Sequence, residues 1–108
     1  MAADLGVAGE YRVWFVAVDM AEPWVSLRFA YVCLRSLAEG ELRPALPRIE
    51  WSLSDEVGTP YELHPAGGFQ RWFSPSPPAA ATTLTVTGDW QDQVTLQQQF
   101  SLGGFHGP

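Results

Sequence analysis

Tyr11-Arg12-Val13-Trp14-Phe15-Val16-Ala17-Val18 is the stretch that decides the fold. Every residue in it except Arg12 is apolar or aromatic, and Val and aromatic residues favour extended backbone. In a strand, Tyr11, Val13, Phe15 and Ala17 share one face, and Trp14, Val16 and Val18 share the other. Both faces are apolar, so the sequence predicts a strand covered on both sides.

Working outward, Asp19 to Pro23 reads as a turn. Val25, Leu27, Phe29, Tyr31 and Cys33 then alternate along Val25 to Leu34, which predicts a second strand. The rival is a helix opened by Pro23 and closed by Gly40, with Leu27, Ala30, Tyr31, Leu34 and Ala38 as its stripe. The helix leaves Val25, Phe29 and Val32 off that stripe. Before Tyr11, residues 1–10 are small and polar and read as a loose lead-in.

Ser36 to Arg48 holds Gly40, Pro44 and Pro47 and reads as a long loop. Ile49, Trp51 and Leu53 alternate with Glu50, Ser52 and Ser54, the pattern of a half-buried strand. Ser54 to Pro60 is a turn. Tyr61 to His64 and Phe69 to Phe73 are short strands joined as a hairpin through Pro65, Gly67 and Gly68. The prolines of Ser74 to Ala80 exclude a central strand there. Leu84 to Trp90 and Val94 to Leu102 alternate again, and residues 103–108 are a loose end. About seven short strands separated by turn signals predict an all-β, antiparallel sandwich. The 108 residues fit one domain. With 46% hydrophobic residues, that domain can build a core without disulfides.

Two segments carry a resemblance. Asp55-Glu56-Val57-Gly58-Thr59-Pro60-Tyr61 and Phe73-Ser74-Pro75-Ser76-Pro77-Pro78 resemble a D-E-x-G-T-x-Y … F-x-P-x-P-P pattern. That pattern recurs in modules of uncharacterised actinobacterial proteins. The resemblance runs from about Ile49 to Leu96 and implies an immunoglobulin-like sandwich. It implies no activity. The Cys…Trp…Cys arrangement of antibody domains is absent, because Cys33 is the single cysteine.

Composition narrows the function. Net charge is −6, and the six cationic residues are all arginines scattered along the chain. No basic run exists to neutralise phosphates, which argues against nucleic acid and against anionic membranes. No apolar run approaches the roughly 18 residues of a membrane span. One cysteine and an N-terminus without a signal-like pattern point to a cytoplasmic setting.

Candidate chemistry is sparse. Asp55 and Glu56, with Glu62, are too few acids for a dedicated calcium site and read as a capped turn. His64 and His106 have no ligand or catalytic neighbour at suitable spacing. Cys33 sits among apolar residues and reads as a buried, inert thiol. No enzyme activity and no cofactor are expected. The aromatics remain: Trp14, Trp24, Trp51, Trp72, Trp90, Phe69 and Phe73. Trp51 belongs to the core. The others read either as core or as a protein interface, and less readily as a sugar platform. The favoured expectation is a non-catalytic interaction or structural accessory module. It would bind another protein or itself, as a homo-oligomer, through Trp14, Val16, Trp24 and Trp72. The alternative is a carbohydrate-binding module using exposed Trp.

Overall fold

The computed structural model describes residues 2–64, 69–91 and 94–102. Among these the chain is all β, with eight strands in chain order: β1 (Ala3–Ala8), β2 (Tyr11–Ala21), β3 (Trp24–Cys33), β4 (Glu50–Asp55), β5 (Glu62–His64), β6 (Gln70–Ser74), β7 (Thr83–Trp90) and β8 (Val94–Ser101). A five-stranded sheet has the order β1-β2-β3-β6-β5, and a three-stranded sheet the order β4-β7-β8. Every pairing is antiparallel.

The inner faces of both sheets meet in one core. Val13, Phe15, Val25, Leu27, Phe29 and Phe73 come from the larger sheet, and Trp51, Leu53, Leu84, Val86, Leu96 and Phe100 from the smaller. Phe29 stacks on Trp51 with centroids 4.0 Å apart, and Phe15 stacks on Phe100 at 5.2 Å. Gly88, paired with Trp51 across the ladder, leaves room for the indole. A Cβ there would lie 2.6 Å from the Trp51 ring. Trp51 Nε1 is buried. It lies near enough to the Tyr31 hydroxyl to favour the anion, but makes no hydrogen bond of ordinary geometry among the described residues. Burial is the larger influence on Tyr31 and pushes its pKa up.

Residues 25–33 are strand, so the helix alternative is excluded. Three expectations need correction. First, Ala3–Ala8 is a strand and not a loose lead-in. Its small residues let it lie close to β8, where a Cβ on Gly6 would be 3.4 Å from Leu96. Second, β2 continues through Asp19 to Ala21, and only Glu22-Pro23 forms the turn to β3. Third, the strand is not evenly alternating. Phe15 pairs with Phe29 and Ala17 with Arg28, leaving Val16 as the extra residue of a β-bulge. The bulge reverses parity, so Val18 and Met20 pack against the core instead of joining Trp14 on the outside.

The expected hairpin is present as the β5–β6 pairing; its connecting residues 65–68 lie outside the described residues, as do His106 and the rest of 103–108. Ser36 to Arg48 contains neither strand nor helix. It is tied down by Tyr11, whose hydroxyl donates to the Pro44 carbonyl at 2.6 Å, and by Arg35, which pairs with Glu10 and Glu41.

Candidate functional site

The outward faces of the two sheets differ in kind. On the smaller sheet the outward positions are Glu50, Ser52 and Ser54 on β4, Thr83, Thr85, Thr87 and Asp89 on β7, and Gln97, Gln99 and Ser101 on β8. All are polar, as expected for an antiparallel sheet with one solvated face. On the larger sheet the same alternation puts Val7, Trp14, Ala30 and Val32 outward around Arg12. It also puts Trp24, Trp72 and His64 outward around Ser26. Val32 is 52% exposed and Trp14 is half-buried.

Trp24, Trp72 and His64 form an aromatic cluster. Trp24 and Trp72 meet edge to face with centroids 6.4 Å apart, and Trp24 meets His64 at 4.6 Å and 88°. Register explains the cluster: His64 lies opposite Trp72, and Trp72 lies opposite Ser26, two residues along β3 from Trp24. Ser26 faces outward beneath these rings, yet is only 5% exposed. His64 Nε2 and Ser74 Oγ share a hydrogen bond at 2.6 Å. Among the described residues no carboxylate orients the other ring nitrogen. That contact fixes the imidazole against Trp24.

Of the residues singled out by sequence, the structure brings Trp24 and Trp72 together. Trp14 lies on the same outward face, opposite Asp4 and Ala30, away from that pair. Val16 is the bulge residue and half-buried. None of the five tryptophans is exposed: Trp51 is buried and the other four are half-buried. Trp90 packs against the core and lies beside Gly9. β2 sits between β1 and β3, so its backbone cannot pair with a partner strand. Cys33 is half-buried, with its thiol directed to the Arg35 carbonyl. Sequence reasoning missed the place of His64 in the aromatic cluster; its signal was the period-two spacing of Glu62 and His64 before a turn.

The acidic motif is a structural lock. Asp55 Oδ1 accepts the Val57 and Thr59 N–H groups, and Oδ2 accepts the Tyr61 hydroxyl at 2.8 Å. Burial alone would raise the Asp55 pKa, but the hydrogen bonds from Thr59, Tyr61 and Val57 outweigh it and hold it below the usual range. Tyr61 is pushed up, first by burial and then by donating to Asp55. Glu56 reaches across to the start of β7 and accepts from the Thr82 hydroxyl and from the Thr82 and Thr83 N–H groups. The Thr82 hydroxyl is the chief reason its pKa falls to about 2. These oxygens are therefore engaged in contacts within the chain. Among the described residues no three of His, Cys, Asp and Glu converge as a ligand set.

No described helix is long and apolar enough to cross a membrane. Set against protein-family models, curated proteins and solved structures, the chain matches none of them.

Proposed function

We propose that this protein is a non-catalytic interaction module that binds another protein through the outward face of its five-stranded sheet. The contrast between the two outward faces carries this reading. One is wholly Ser, Thr, Gln and acid, while the other sets Trp14, Trp24, Trp72, Val7 and Val32 among the charged Asp4, Arg12, Asp19 and Arg28. Half-covered tryptophans beside aliphatic side chains are the usual anchors of protein interfaces. The immunoglobulin-like class suggested by the acidic motif belongs to the same proposal. Its support is the pair of antiparallel sheets around a shared core, between which the chain crosses repeatedly. A cytoplasmic setting rests only on the sequence.

The carbohydrate reading has less support. Sugar platforms use a broad exposed ring face, and here Trp24 and Trp72 stand perpendicular and half-buried.

The test is partner capture by in-cell cross-linking with three forms of the chain. The doubly substituted Trp14→Ser/Trp72→Ser form should lose the protein that wild type captures while keeping its far-ultraviolet circular dichroism. A Ser52→Lys/Thr87→Lys form, altered on the polar face, should retain it. Equal capture by all three forms would refute the assignment to this face.

A further inference from the structure

We infer that β8 is a self-pairing edge, and that two copies of this chain join through it in antiparallel register about a two-fold axis at Gln98. The inference is independent of the aromatic face.

Four strands lie at sheet edges: β1 and β5 in the larger sheet, β4 and β8 in the smaller. An open edge presents unpaired N–H and C=O groups, and proteins blunt it with charge, brevity or a bulge. Three of the four are blunted. β1 carries Asp4 and a register shift at Leu5. β5 has three residues and begins with Glu62. β4 begins with Glu50 and ends with Asp55. β8 spans eight residues, Val94-Thr95-Leu96-Gln97-Gln98-Gln99-Phe100-Ser101, with no charge, no proline and an unbroken ladder to β7; the Gln98 amide donates to the Gln99 carbonyl at 2.9 Å and releases it when a second strand pairs.

That strand also reads alike in both directions. From Thr95 to Ser101 the order is hydroxyl, apolar, Gln, Gln, Gln, apolar, hydroxyl. A two-fold axis at Gln98 sets Leu96 opposite Phe100 of the second copy, Gln97 opposite Gln99, and Gln98 opposite itself. Faces are conserved, because residues directly opposite in an antiparallel pair point to the same side. Leu96 and Phe100 remain on the core side. Gln97 and Gln99, both exposed, meet as amide pairs on the polar side. Self-complementarity about a two-fold axis is what an isologous dimer requires.

The flank of β8 fits the same axis. At its Leu96 end, β1 closes in through Gly6. At its Phe100 end a cavity of about 160 Å³ opens, lined by Ala3, Phe15, Val18, Gln98 and Phe100 among others. The two-fold axis sets the closed end of each copy beside the open, apolar end of the other.

The experiment is solution mass by light scattering over a concentration series, with charge-swapped variants. Wild type should approach twice the 11.9 kDa of the chain. Gln97→Lys/Gln99→Lys and Gln97→Glu/Gln99→Glu should each fall to the single mass, since like charges face each other. Their equimolar mixture should return to the double mass. Trp14→Ser/Trp72→Ser should keep the wild-type mass. A wild-type monomer at every concentration would overturn the inference, and would leave binding of a different protein through the aromatic face intact. A Lys variant that stays dimeric while Trp14→Ser/Trp72→Ser dissociates would also overturn it and move the self-interface to that face.

Discussion

Glu56 shows how one exposed side chain ties distant segments. Its carboxylate satisfies donors at Thr82 and Thr83, across a long stretch of chain, and its pKa sits near 2 instead of the ordinary 4.5. A carboxyl whose pKa is lowered on folding adds stability above its unfolded pKa, and that stability is lost as pH falls through the folded value. Asp55 shifts in the same direction. The urea midpoint of wild type should therefore fall between pH 4.5 and pH 2. Glu56→Gln should start lower at neutral pH and show a shallower decline, as measured by urea titrations at stepped pH. Gly88 acts through absence of a side chain. Gly88→Ala puts a methyl where Ile49 and the Trp51 indole already lie. Overpacking of this kind costs about 1–3 kcal/mol, and the expected result is a matching loss in equilibrium denaturation.

At the scale of elements, the bulge in β2 decides which side chains the core receives. If Val16 entered the ladder opposite Arg28, Ala17 would turn inward and Val18 and Met20 outward; deleting Val16 instead leaves Ala17 directly after Phe15 with the pairs Phe15–Phe29, Ala17–Arg28 and Val18–Leu27 unchanged. Deleting Val16 should therefore remove the bulge alone and cost well under the roughly 3 kcal/mol that turning both side chains outward would cost, as read by equilibrium denaturation in urea. Binding of a hydrophobic dye should stay at the wild-type level, because Val18 and Met20 remain covered. This element marks the limit of what the sequence makes legible. Simple alternation identified β3, β4, β7 and β8 and put Trp51 in the core, because those strands run without interruption. A bulge has no composition of its own: Val16 looks like every other apolar residue between Tyr11 and Val18. β1 was illegible for a different reason. Its pairing comes from backbone groups and from the smallness of Gly6 and Ala8, whereas propensity reads small residues as loop. The candidate site was half legible. Trp24 and Trp72 stood out as residues, but their meeting with His64 depends on the β3-β6-β5 register, which no local pattern encodes.

At the scale of the molecule, charge, edge and face act together. Net charge of −6 keeps separate copies apart at long range. β8 itself carries no charge, whereas β4 and β5 keep acids at their edges. The two proposals place a second copy on the β8 edge and a different protein on the aromatic face. The two surfaces belong to different sheets and need not compete.

The interleaving of strands between sheets also sets a tempo. β4 leaves for the smaller sheet, β5 and β6 return to the larger, and β7 and β8 leave again. The β1–β2, β2–β3, β5–β6 and β7–β8 pairs join neighbours in the chain and can zip early. Val25 with Phe73 and Trp51 with Gly88 must instead close long loops before any burial compensates them. Chains dominated by such distant pairings fold in milliseconds to seconds rather than microseconds. During that interval β4 has no strand to join until β7 is in place. A newly made chain therefore carries the apolar side of β4, with Trp51 and Leu53, in open water for longer than any hairpin strand.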